Sequence, residues 1–98
     1  MTVRYADLAE RDFVAIGTHI ARDSVPTALR FQAELDAFIE GLADHPLRYR
    51  PRDEWGGEVR AARLGRYLVI FAVEPDGILV LRIANGRRDI PALLREVG

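Results

Sequence analysis

The last third of the chain carries the residues best suited to binding an anion. Two apolar runs, Tyr67–Val73 and Ile78–Ile83, flank a Pro-Asp-Gly turn and predict a β-hairpin. The second run leads into Gly86, Arg87 and Arg88. Guanidinium groups bind carboxylates and phosphates through paired hydrogen bonds. A fixed arginine pair at a strand end therefore predicts a site for an anion or an acidic surface.

Other side chains extend this candidate surface. Short turns between the predicted strands would bring Arg60 or Arg63, together with Arg82, close to the arginine pair. The alternative is a set of surface ion pairs with Glu58, Glu74, Asp76 and Asp89. Trp55 lies in a loop predicted over residues 45–57, where it is either an anchor for a partner or a lid packed on the core.

Catalytic and metal-binding candidates are few. The histidines, His19 and His45, are far apart in sequence and have no carboxylate pattern around them that indicates a metal site. Ser24 is the only serine and is better placed to cap a helix than to act as a nucleophile. The chain has no cysteine and no lysine, which excludes thiol and Schiff-base chemistry. We expect no catalytic residues, no metal and no cofactor.

The hydrophobic spacing predicts an α+β fold in one domain, residues 1–98, with the order β-αα-βββ-α. Asp7 and Glu10 have the spacing of a capping box for the first helix, and Ser24 caps the second. We expect an N-terminal strand and a helical hairpin packed on a small antiparallel sheet. The predicted elements are a strand at 2–5, helices from 7 to about 22 and from 24 to about 44, strands at 58–64, 67–73 and 78–83, and a short helix at 90–97.

The predicted strand 67–73 is apolar on both faces, but the helical hairpin can cover only one of them. The second face is covered either by the long loop and the C-terminal tail or by a partner protein. We expect a partner to contribute part of this cover.

Charge and composition narrow the function classes. The net charge of −1 argues against a general nucleic-acid binder, although all 14 basic residues are arginine. The N-terminus does not have the pattern of a signal peptide, and no run approaches the ~20 apolar residues of a membrane span. We therefore expect a cytoplasmic protein without a membrane partner.

The order of elements and the closing segment resemble the ParE branch of the RelE/ParE toxin superfamily, the toxin halves of bacterial toxin–antitoxin pairs. The closing segment, Ile78–Asp89, is similar to the family's strand-Arg-x-x-His-Gly-Arg-Arg-Asp signature, with Asn85 in place of the histidine. This replaces a titratable donor by a neutral one. The other matches are Ala6, Leu8, Pro26, Ala28, Phe31, Leu42, Pro46, Arg60 and Tyr67–Phe71.

The superfamily has a ribonuclease branch, which cuts messenger RNA on the ribosome. Alignment on the two glycine-arginine turns places Val59, Ala61, Leu68 and Leu94 where that branch has its catalytic groups, and only Arg88 is retained. Aliphatic side chains cannot transfer protons or stabilise a phosphorane. ParE-type toxins inhibit DNA gyrase instead and need no hydrolytic site.

The resemblance therefore implies a gyrase-inhibiting toxin that is not an enzyme. It implies a cognate ParD-like antitoxin whose C-terminal segment covers the helical hairpin and the sheet, apolar along the hairpin and acidic opposite the arginines. DNA would be contacted only indirectly, through the antitoxin. The alternatives are a ribosome-dependent endoribonuclease using Arg60, Arg63, Arg82 and Arg88, and a binding module without toxicity. The residues expected to bind the target or the antitoxin are Trp55, Arg60, Arg63, Arg82, Asn85, Arg87 and Arg88.

Overall fold

A computed structural model describes residues 2–96 and confirms the predicted order of elements. The last predicted helix extended to Val97, which lies outside the described residues; the helix ends at Arg95. The elements are β1 (Thr2–Tyr5), α1 (Asp7–Ala21), α2 (Val25–Asp44), β2 (Val59–Leu64), β3 (Tyr67–Glu74), β4 (Gly77–Asn85) and α3 (Ile90–Arg95), with two short 3-10 turns between α2 and β2.

The sheet has the order β1-β4-β3-β2. Strands β2, β3 and β4 are antiparallel neighbours joined by tight turns, as predicted. Strand β1 pairs in parallel with β4, from Thr2 opposite Gly77 to Tyr5 opposite Val80. The sheet is therefore mixed rather than purely antiparallel. Turn residues in the sequence determine only the pairing of strands that follow one another. Strands β1 and β4 are separated by more than seventy positions in the sequence, so no turn predicts their pairing.

The two long helices begin differently. Helix α2 starts as predicted, because the Ser24 hydroxyl accepts a hydrogen bond from the Thr27 N–H at 3.3 Å. The predicted cap of α1 was wrong: Asp7 is already helical, and the residue before it, Ala6, makes no side-chain cap. The Ala6 N–H donates to the Val80 carbonyl at 2.9 Å, which keeps Ala6 in the sheet and starts the helix at the next residue.

The main core lies between the helical hairpin and the sheet. Leu35 and Ile39 of α2 pack with Val69, Phe71 and Val80 of the central strands, and none of the five is exposed to solvent. Burial of this apolar surface is the main contribution that holds the hairpin on the sheet.

A second core covers the opposite face of the sheet. Ile70 and Ala84 pack there with Ile90 and Leu93 of the tail, and Trp55 lies against them. The expectation that a partner would contribute cover was wrong for Ile70, because the tail and the loop cover it; for the half-buried Leu68 and Ala72 it stays a prediction. Of the two alternatives for Trp55, an anchor for a partner or a lid packed on the core, the structure has the lid.

A β-bulge in β4 changes which side chains face each core. Ile70 pairs with Arg82, but Phe71 pairs with Val80, so Leu81 is the extra residue. As a result Val80 and Ile83, three positions apart, belong to the same core. Strict alternation would have put Arg82 on that apolar face.

No helix within residues 2–96 is long and apolar enough to cross a membrane.

A substitution at Gly77 tests the parallel pairing of β1 with β4. A Cβ atom at this position would lie 1.8 Å from the Thr2 backbone carbonyl oxygen. We expect Gly77→Ala to lower the free energy of unfolding in urea by about 1–3 kcal/mol, because backbone must move to accept the methyl group. The matched control is Gly41→Ala, where a Cβ would meet nothing within 4 Å. It should leave stability unchanged or raise it by up to ~1 kcal/mol. Equal stability of the two variants would contradict this account of β1.

Candidate binding surface

Four exposed arginines surround one end of the sheet, where the β2–β3 turn meets the end of β4. The Gly86 N–H donates to the Arg66 carbonyl at 2.9 Å, which joins the two segments. The Arg63 guanidinium lies over Gly86, 3.1 Å from where a Cβ atom would stand. Arg87 and Arg88 follow directly. We call Arg63, Arg66, Arg87 and Arg88 the arginine end.

The backbone that carries Arg87 and Arg88 is held in place by Asn85. The Asn85 Oδ1 accepts a hydrogen bond from the Arg87 N–H at 3.0 Å, and the Asn85 carbonyl accepts one from the Arg88 N–H at 3.0 Å. Just beyond, the Asp89 carboxylate caps α3 by accepting from the Ala92 N–H at 3.2 Å. The two arginines therefore leave a fixed turn between a strand and a helix.

The arginine end has no internal partner for its charge. Within the part of the chain that the structure describes, no carboxylate lies within 4 Å of any of these four guanidinium groups; the ion pairs there use Arg4, Arg50, Arg52 and Arg82. The ion-pair alternative is therefore wrong for Arg63, Arg87 and Arg88. Four unpaired guanidinium groups are available to an external anion.

Arg82 lies inside the protein, although the sequence placed it with the binding residues. Its side chain is 9% exposed and donates to both oxygens of Asp12 in α1, at 2.8 and 3.0 Å. Its remaining nitrogen donates to the Leu93 carbonyl at 3.1 Å and to Glu96 at 2.8 Å. The hydrogen bond to Asp12 raises the pKa of Arg82 above its ordinary value. Arg82 thus ties α1 and α3 to β4.

Arg60 and Trp55 also lie away from the arginine end. The Arg60 guanidinium donates to the Tyr49 carbonyl, which holds the 45–57 loop to β2. Its Nε is buried and has no hydrogen-bond partner among the described residues. Trp55 packs on the second core, and the Arg52 guanidinium lies 4.1 Å from the centre of its ring. Both side chains hold the loop in place.

Arg66 is the member of the arginine end that sequence reasoning left out. It stands in the tight turn after Gly65, whose φ of 59° is the left-handed conformation that glycine favours. The signal was present, since the turn was predicted, but the sequence could not show that this turn lies beside Gly86.

Two concave regions flank the helical hairpin. The turn cleft, about 490 Å³, lies between the α1–α2 turn and the β2–β3 turn, and its lining includes His19, Asp23, Ser24, Thr27, Phe31, Arg66 and Tyr67. The hairpin groove, about 370 Å³, lies over the first half of α1 and is lined by Tyr5, Glu10, Phe13, Val14 and Asp36.

The hairpin groove is apolar and acidic. Val14 is 61% exposed there, and Glu10 and Asp36 have no cationic partner within 4 Å among the described residues. Burial raises the pKa of Tyr5 to about 12, and the charges of Asp36 and Glu40 act in the same direction. Tyr5 therefore holds its proton more tightly than a solvent-exposed tyrosine does.

No group of three or more histidine and acidic residues in the range 2–96 is arranged to hold a metal ion.

Comparison with known proteins shows the family to which the chain belongs. The family model described as "ParE toxin of type II toxin-antitoxin system, parDE" matches residues 3–90. The chain is therefore the toxin component of a type II toxin–antitoxin pair, with a cognate antitoxin as partner. It belongs to the ParE toxin family.

Among solved structures, a chain of the chromosomal ParDE TA system from P. aeruginosa shares the fold. Its TM-score is 0.74 at 23% identity, and the match covers 87% of this chain and 95% of that chain. None of the curated proteins matches the chain.

Arg82 tests the connection between the helices and β4. Arg82→Met leaves the partly buried Asp12 carboxylate without its cation, and we expect a loss of about 3 kcal/mol in the free energy of unfolding. The control is Arg4→Met, which breaks the exposed pair with Glu74 and should have little effect. Urea unfolding followed by circular dichroism measures both. A loss for Arg82→Met no larger than that for Arg4→Met would show that this ion pair is not what holds α1 and α3.

Proposed function

We propose that the protein is a non-enzymatic inhibitor of DNA gyrase, neutralised by a ParD-like antitoxin. The observation that carries this proposal is the arginine end, where four exposed guanidinium groups without a carboxylate partner among the described residues lie around two adjoining turns. Such a surface suits an acidic patch on a large partner. Family membership supports the toxin role, and gyrase as the target follows from the resemblance to gyrase-inhibiting ParE toxins.

The second core supports an inhibitor rather than a ribonuclease. Val59, Ala61, Leu68 and Leu94 stand where the ribonuclease branch has catalytic groups, and all four pack against the cluster around Ile70. Apolar side chains therefore occupy these four positions, and such side chains cannot move a proton. Messenger RNA cleavage is the less favoured candidate for this reason.

The hairpin groove is where we place part of the antitoxin. An apolar strip beside Glu10 and Asp36 suits an amphipathic segment whose apolar side chains are flanked by arginine or lysine. This refines the expectation from the sequence, in which the segment opposite the hairpin was only apolar. In this proposal the antitoxin, and not the toxin, makes the sequence-specific contacts with operator DNA.

Gyrase inhibition is tested with purified gyrase and relaxed plasmid. We expect micromolar toxin to inhibit supercoiling. Arg87→Gln/Arg88→Gln should weaken inhibition at least about tenfold, because two charge-assisted contacts are lost. The matched control is Arg11→Gln/Arg48→Gln, which removes two exposed arginines outside the arginine end.

Unaffected supercoiling by the wild-type chain would count against the proposal. Toeprinting on translating ribosomes then tests the ribonuclease alternative, and normal growth of a host that makes the soluble chain would indicate a binding module without toxicity.

The hairpin groove is tested with the antitoxin encoded by the neighbouring reading frame. Val14→Asp should weaken the complex at least about tenfold, because it removes apolar contact and places a carboxylate against the apolar side of the bound segment, where it loses its hydration. The control, Leu29→Asp, changes a residue of α2 with a similar exposure of 63% that does not line the groove. Isothermal titration calorimetry measures both. Equal affinities of the two variants would show that the antitoxin does not bind in this groove.

A further inference from the structure

We propose that the arginine end and the turn cleft together form a binding site for single-stranded DNA. The arginines would contact successive phosphates, and one base would enter the cleft and stack on Tyr67. This goes beyond gyrase inhibition and beyond the expectation that DNA is contacted only through the antitoxin.

The first step of the argument is the local charge. The whole chain has a net charge of −1, but that average hides the separation between the acidic hairpin groove and the arginine end. Arg63, Arg66, Arg87 and Arg88 surround one turn without a carboxylate partner in the described range. Phosphate is the anion that spaced guanidinium groups bind along a polymer.

The second step is the aromatic wall of the turn cleft. Tyr67 packs against Phe31 with ring centres 5.5 Å apart and ring planes tilted by 46°, which fixes the orientation of the tyrosine ring. Arg66 lines the same cleft and also belongs to the arginine end. A fixed aromatic ring next to a cationic track is the arrangement by which proteins bind unpaired nucleotides.

The third step of the argument explains why the turn cleft favours a nucleotide over an acidic peptide. Asp23 lines the cleft together with Arg66, and its carboxylate would repel a carboxylate side chain entering the cleft. A neutral base can instead donate an exocyclic amino hydrogen to that carboxylate while its ring stacks on Tyr67. In duplex DNA the bases are paired and stacked, so the recessed cleft would stay empty. These features favour a single strand.

The experiment uses the full-length chain and a fluorescein-labelled oligo(dC) of about 12 nucleotides, followed by fluorescence anisotropy between about 50 and 200 mM salt. Four phosphate contacts predict a slope of log K against log salt of about −2.8 for a single strand. Arg66→Gln/Arg87→Gln should halve the slope to about −1.4 and weaken binding at least tenfold. Arg11→Gln/Arg48→Gln should change neither quantity.

Tyr67 provides a readout that is independent of charge. Tyr67→Leu should weaken binding about fivefold or more with an unchanged salt slope, since stacking of a base contributes about 1–3 kcal/mol. Tyr67→Phe keeps the ring and should restore the affinity. Circular dichroism confirms that each variant is folded before it is titrated.

Four results would overturn the proposal. They are no binding at the lowest salt concentration, equal losses in the arginine variants and their controls, tighter binding of a duplex of the same length, and binding of polyglutamate without binding of DNA. The last result would assign the site to an acidic protein partner. Gyrase is absent from the assay, so the outcome is independent of whether the chain inhibits that enzyme.

Discussion

The ion pair between Arg82 and Asp12 joins the layers of the fold where strand β1 ends. Strand β1 covers the edge of β4 only as far as Val80, and beyond that point the β4 backbone faces α1. Asp12 supplies the hydrogen-bond acceptor that this strand edge needs, because its carboxylate accepts a hydrogen bond from the Ile83 N–H at 3.0 Å. The same carboxylate accepts two hydrogen bonds from Arg82. The arginine in turn reaches α3 through the Leu93 carbonyl. A carboxylate that closes a strand edge needs a cation when it is partly buried, and the central strand supplies one.

The bulge at Leu81 makes this arrangement compatible with an apolar core. It shifts the alternation of β4 by one residue, so Val80 and Ile83 both face the helical hairpin while Arg82 lies opposite Ile70. The tail then packs over Ile70 and places Leu93 where its carbonyl meets the arginine. One extra residue in a strand thus decides whether the guanidinium group stands against apolar side chains or beside its acid.

Two further charged surfaces lie near different ends of the helical hairpin. The first half of α1 presents carboxylates beside exposed Val14, and the turn regions present the arginine end. Other arginines within the described residues hold loops and helices in place, as Arg82 does through its ion pair with Asp12 and Arg60 through its hydrogen bond to the Tyr49 carbonyl. We therefore propose that this ParE-family toxin uses two surfaces of opposite charge, one for its target and one for its antitoxin.

The sequence alone determined the elements, the Ser24 cap, both tight turns and the family resemblance, because each depends on residues within a few positions of one another. It did not determine which arginines face solvent. Arg82 and Arg88 look alike in the sequence, yet one is buried by Asp12, seventy positions away, and the other is exposed. The parallel pairing of β1, the cover supplied by the tail and the place of Arg66 were likewise decided only in the tertiary structure. Burial and charge pairing depend on what the folded chain brings together, and local propensity carries no information about such distant contacts.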